Sequence, residues 1–215
     1  MANHCSNCIA FYGNDLDKLE NFRTLMDDKC EFIRDFAMKC GYSEEETFRF
    51  TDGRDTFVEV SDVVNRDDTS YYFIIQTESA GTPNVEAFSK ILEERYSNQI
   101  DFVYCSVEPG SEIYVNTDTN GRFFSDQYHL DFCINGEYVM EYYSIFKEVV
   151  EVLREKIPEM EFSNYDSVDE INDRVQNWLI DKPDDYFNLY EYSEEWKEVL
   201  VWVQQNLSVL VVTRY

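Results

Sequence analysis

Two periods of apolar residues take turns along the chain. His4 to Phe11 is a short run ending in Ile9-Ala10-Phe11-Tyr12, and Gly13-Asn14 closes it with a turn and helix-cap signal, so it reads as a strand. Leu16, Leu19, Phe22, Met26, Cys30, Ile33, Phe36 or Ala37, and Cys40 then recur at three- and four-residue steps, which places them on one helical face. Asn14 caps that helix, Asp15 and Asp17 favour its positive end, and Gly41 suits its C-terminal stop. An unbroken helix of about 26 residues is longer than usual, and Asp27-Asp28 marks the point for a division.

The period then shortens and lengthens again. Ser43-Glu44-Glu45-Glu46 caps one more turn, Arg54 to Val64 is weakly strand-like after the Thr51-Asp52-Gly53 turn, and Tyr71 to Thr77 has the aromatic and β-branched composition of a sheet strand. Gly81-Thr82-Pro83 opens a second helix with Val85, Phe88, Leu92 and Tyr96 inward, and Ile100 to Val107 is a strand turned by Pro109-Gly110. Strand, helix, strand, strand, helix, strand is the ferredoxin-like order of an α+β fold, an antiparallel sheet with its helices on one face. Glu112 to Thr117 and the alternating Tyr128, Leu130, Phe132 and Ile134 extend it as hairpins. Asn120-Gly121 is a turn signal, and Asn135-Gly136 leads to the returning strand Glu137 to Tyr143, with Tyr138, Met140 and Tyr142 on one face.

From Ser144 the helical period returns in Ile145, Val149, Val152 or Leu153, and Ile157. Ser167 with Glu170 is a capping box for a helix carrying Ile171, Val175 and Trp178 inward. Ser193 caps a last helix bearing Trp196, Leu200, Val203 and Leu207, and Ser208 to Arg214 is a β-branched run that needs a sheet edge. The expected division is a ferredoxin-like domain with hairpin extension over residues 1–143 and a helical, acidic C-terminal section over 144–215.

Charge changes this picture most. Formal net charge is −26 across 215 residues, which repels phosphate backbones and anionic membranes and favours a basic host protein as partner, with no direct nucleic-acid contact. Sixteen Tyr and sixteen Phe argue against disorder. No window approaches the roughly 18 apolar residues that span a bilayer, and the N-terminus shows no basic region before an apolar run, so the expected location is the cytoplasm. In that reducing setting Cys30, Cys40 and Cys133 read as small hydrophobes.

The opening Met1-Ala2-Asn3-His4-Cys5-Ser6-Asn7, the helix begun by Pro83 and the Glu108-Pro109-Gly110 turn resemble the YubB family of plasmid and phage accessory proteins. That family opens with Asn-Trp-Cys-x-Asn, matched at Asn3, Cys5 and Asn7, while His4 stands where the tryptophan would be. The likeness covers roughly residues 1 to 143. It implies a ferredoxin-like fold without an iron–sulfur cluster, a mobile-element setting and no known catalytic residues.

Candidate chemistry is sparse. His4, Cys5 and Cys8 are zinc-type ligands, but a tetrahedral site needs a fourth, and on a strand Cys5 and Cys8 point to opposite faces. His129, on a presumed strand, is expected to face away from Tyr128, Leu130 and Phe132, towards solvent. The sequence marks no nucleophile for it and has no Gly-x-Ser-x-Gly, Walker loop or dinucleotide fingerprint, so no cofactor is expected. Asn116 to Asn120 and Asp181 to Asp185 offer oxygen ligands without EF-hand spacing.

Glu137 to Glu198 holds eighteen acids and six basic residues, 6 − 18 = −12, with Glu148, Glu151 and Glu155, and Asp166, Asp169, Glu170 and Asp173, at helical spacing on exposed faces. Such faces can stand in for the phosphate array of duplex DNA, which carries about one charge per 1.7 Å of axis. The reading is therefore an accessory or interaction protein of a mobile element, in its sharpest form an acidic DNA mimic that blocks a host DNA-binding protein. The competing class is a small hydrolase or metal-binding enzyme with a carboxylate and His129 site.

Overall fold

Strand β1 (His4–Gly13) sits inside an antiparallel sheet, with partners on both sides and its alternate residues Cys5, Asn7, Ile9 and Phe11 all buried. The computed structural model describes residues 4–194, apart from 27–29, 50, 52–54, 68–69, 81–84 and 98. The Asp27-Asp28 break, the Asp52-Gly53 turn, the Thr82-Pro83 helix start, and the last helix and β-branched run beyond 194 lie outside the described residues.

Helices α1 (Leu16–Met26) and α2 (Ile33–Lys39) are separate, so the long apolar stripe is shared by two helices. Helix α3 (Glu44–Thr47) is a single turn whose Ser43 and Glu46 form a capping box. Strands β2 (Thr56–Val60) and β3 (Val64–Asp67) are successive stretches of one edge, both pairing with β4 (Ser70–Ala80). Helix α4 (Glu86–Tyr96), β5 (Asp101–Glu108), a 3₁₀ turn at Pro109–Ser111 and β6 (Ile113–Asn116) follow. The strand order is β2-β4-β1-β5-β6, with neighbouring strands antiparallel.

One face of this sheet is closed by helices. Phe11 meets Phe22 edge-on with ring centres 5.1 Å apart, stacks on Phe73 at 5.2 Å, and Phe22 meets Phe36 at 5.5 Å. Phe88, Ile91 and Leu92 of α4 complete the cluster. Burial of such rings away from water is the main stabilising term of this unit. Asn7, on the same face, joins three strands: its amide donates to Ser79 Oγ at 3.0 Å and accepts from Ser106 Oγ at 2.7 Å.

The other face is crossed by residues 117–127. Asp118 is buried and accepts from the backbone N–H groups of Phe123 and Phe124, while Asn116 donates to the carbonyls of Phe124 and Asp126 at 2.9 and 2.8 Å. This holds Phe123 on Tyr12 at 5.3 Å and beside Tyr72 at 5.2 Å, with the guanidinium of Arg122 over Tyr12. The polar run Asn116 to Asn120 thus organises its own loop.

The sequence suggests that Tyr128 to Tyr143 extends the first sheet, and the pairing differs. Strands β7 (Tyr128–Ile134) and β8 (Glu137–Tyr143) join β9 (Tyr186–Glu191) in a second antiparallel sheet of order β8-β7-β9. The β7–β8 turn has Asn135 and Gly136 both at positive φ, 52° and 79°, as an Asn-Gly two-residue turn requires. Helices α5 (Phe146–Lys156) and α6 (Val168–Trp178) supply Val149, Val150, Leu153, Ile171 and Val175 against Leu130, Phe132, Val139, Phe187 and Leu189. Hydrophobic burial fits this pairing, because the even-numbered residues of β7 meet the apolar faces of α5 and α6.

The sheets are joined near β6. Asn116 N–H donates to Ser193 O and Ser193 N–H to Tyr114 O, both at 2.9 Å, and the Tyr114 ring stacks on Tyr190 with centres 4.0 Å apart. The molecule is a mixed α+β fold of two antiparallel sheets, and no helix among the described residues is long and apolar enough to cross a membrane.

Candidate functional site

The geometry scatters the N-terminal trio. Cys5 is buried on the helix-covered face, where desolvation pushes its thiol up to about 12, while Cys8 lies on the opposite face directly across from Cys105. His4 is exposed beside Glu78. Among the described residues there is no group of three or more His, Cys, Asp or Glu side chains able to hold a metal ion. Cys105, half-buried, is pushed up to about 12, mainly by desolvation, so neither Cys5 nor Cys105 has the lowered pKa of an activated nucleophile.

His129 does not face solvent. It points away from Leu130 and Phe132, as alternation requires, but is only 4% exposed because Tyr142 stacks on it at 4.6 Å and Tyr114 lies at 5.5 Å. Tyr114 belongs to the other sheet, so local alternation carries no sign of this cover. Neither ring nitrogen has a hydrogen-bond partner among the described residues, and burial lowers the imidazole pKa, opposed by the charge of Asp131. Among the described residues no hydroxyl or carboxylate bonds to this imidazole.

The seven acids singled out on α5 and α6 fall into different roles. Glu148 is exposed, while Glu151 lies 3.5 Å from Lys147 and Glu155 3.8 Å from Lys156, so half-neutralised pairs break the α5 face. Asp166 accepts from Ser163 N–H and from Arg174, which hold its carboxyl below the usual range, and Glu170 closes the capping box with Ser167. Asp169 and Asp173 stand on a groove of about 1180 Å³ between β6, α6 and β9. Glu112, Glu191 and Glu194 also line it, with no lysine, arginine or histidine among its described lining residues.

Asn172 fixes one wall of this groove: its amide donates to Leu189 O at 2.8 Å and accepts from Leu189 N–H at 3.0 Å, satisfying the backbone of β9 on the side away from β7. The groove is open, polar and acidic, suited to holding cationic groups rather than to enclosing a reacting molecule. Glu112 and Glu191 are absent from the sequence-derived face, because strand pairing brings them beside α6. Compared with known protein families, curated proteins and solved structures, the chain matches none.

Proposed function

We propose that this protein is a non-catalytic interaction protein whose partner is a basic macromolecular surface. The observation that carries this is the groove between β6, α6 and β9, where Glu112, Asp169, Asp173, Glu191 and Glu194 face a common space without a described basic lining residue, in a chain of net charge −26. A cleft of one sign focuses its field and speeds capture of oppositely charged partners. In the sharpest form the partner is a host DNA-binding protein and the acids occupy its phosphate-binding surface. The strand order β2-β4-β1-β5, with α1 and α4 on one face, supports a ferredoxin-like first unit, and with it the relation to accessory proteins of mobile elements.

The test is displacement. Host proteins retained on duplex-DNA cellulose are challenged with the protein at low and at raised salt. A subset should elute at low salt beyond what buffer alone releases, raised salt being the control that elutes electrostatically held proteins by itself, and Asp169→Asn with Asp173→Asn should lose this activity more fully than Glu148→Gln, Glu151→Gln and Glu155→Gln together. Elution of nothing at low salt would remove the DNA-mimic reading.

A further inference from the structure

One face of the second sheet carries no helix among the described residues, and register sets its side chains in three rows across the strands. Tyr138, Cys133 and Tyr186 form one row, Met140, Asp131 and Asn188 the next, and Tyr142, His129 and Tyr190 the third. Tyr138, Met140, Tyr142 and Tyr186 are 58%, 52%, 49% and 39% exposed. In the middle row Asp131 accepts from the Tyr186 hydroxyl at 2.9 Å. At one end His129 is buried beneath Tyr142, with ring centres 4.6 Å apart, so its ring reports on this face without offering it a contact.

A patch of large exposed side chains is a recurrent mark of an interaction surface. Its chemistry favours cations: tyrosine faces attract ammonium and guanidinium groups, and Asp131 is a carboxylate among those rings. The net charge of −26 points the same way, since it repels an anionic partner. Alternate positions along a strand are about 6.6 Å apart, so successive rows match alternate side chains of an extended peptide.

We infer that this face docks a basic polypeptide segment, with lysine or arginine side chains lying on Tyr138, Tyr142 and Tyr186 and directing N–H groups at Asp131. This rests on the reading that the partner is basic; the face adjoins the acidic groove at Asn188 and Tyr190, but Tyr138, Tyr142, Tyr186 and Asp131 do not line it.

The probe is a synthetic peptide alternating lysine and threonine, titrated calorimetrically into the full chain at low salt beside its glutamate counterpart, with His129 ring resonances followed by NMR. The lysine peptide should bind and shift His129, and the glutamate peptide should not. Tyr138→Ala and Asp131→Asn should each weaken binding by about three- to tenfold, the range expected for one cation contact. Tyr138→Phe, which keeps the ring, should retain it, and thermal melts of each variant check that the fold is intact.

Binding unchanged by Tyr138→Ala and Asp131→Asn but lost on neutralising Asp169 and Asp173 would overturn this surface while leaving a basic partner in place. No binding of the lysine peptide would also overturn it, and displacement from DNA cellulose would still judge the broader reading. Self-association abolished by Tyr138→Ala, without peptide binding, would overturn it by assigning the face to a second copy of the chain.

Discussion

The amide of Asn7 shows how a single buried polar side chain fixes a sheet. It is 2% exposed, donates to Ser79 on β4 and accepts from Ser106 on β5, so it ties the central strand to both neighbours. Asn7→Ala removes a partner from two buried hydroxyls and should cost about 1–3 kcal/mol in urea unfolding, the usual penalty for stranding buried polar groups. Ser6→Ala, one position along on an exposed site, should change stability by less than about 0.5 kcal/mol. His129 gives a residue-scale pH effect. Its ordinary value of 6.5 applies in the unfolded chain, and burial lowers it in the folded one. Above 6.5 the ring is neutral in both states and contributes nothing to pH dependence. As pH falls below 6.5, the unfolded chain takes up a proton that the folded chain resists, so stability is lost until the folded pKa is reached. His129→Phe removes this loss. Urea unfolding from neutral pH down to about pH 5 should show the stability difference shifting in favour of the variant, and a parallel pair of curves would contradict the buried neutral imidazole.

Helix α6 depends on its first turn, because its described last turn carries no basic residue. Ser167 Oγ accepts from Glu170 N–H at 3.2 Å, and the Glu170 carboxylate accepts from Ser167 N–H at 2.8 Å. Ser167→Ala should lower stability by about 1 kcal/mol, read as a shift in the urea midpoint with an unchanged slope. An unaltered midpoint would mean that packing of Ile171 and Val175 alone sets this helix. The capping box was legible in the sequence because it is a pattern of local offsets, and so were the inward stripe Leu19, Phe22 and Met26 and the Asn135-Gly136 turn. Which sheet the β7–β8 hairpin joins was not legible. Its alternation fits any covered sheet face, and its deciding partner β9 lies about fifty residues away in sequence, with Cys133 opposite Tyr186. The signal for β9 itself was present in Phe187 and Leu189 alternating with Tyr186, Asn188 and Tyr190. Burial of His129 was hidden for a related reason, since Tyr114 comes from the other sheet. The acidic groove likewise assembles from β6, α6 and β9, and helical spacing reveals only the α6 share.

At the scale of the molecule, two hydrophobic clusters share a narrow junction. One gathers residues from Cys5 to Val115 and the other from Leu130 to Leu189, and between them Tyr114 makes aromatic contacts with His129, Tyr190 and Tyr192. Backbone bonds at Asn116, Ser193 and Tyr114 run beside it. Each cluster has its own sheet and helices, so each can hold a fold if the junction weakens, whereas a strong junction makes them melt together. Tyr114 is 5% exposed at that junction, and truncating a buried aromatic ring typically costs about 3 kcal/mol or more. That loss falls mainly on the coupling, because Tyr114 is absent from both clusters. The intact chain should therefore show one calorimetric transition and Tyr114→Ala two, with the unit containing His129 identified by following its ring resonance through the melt. A single transition at lower temperature in the variant would place the coupling in the backbone bonds around Ser193, and two transitions in the intact chain would mean that the sheets are independent from the outset.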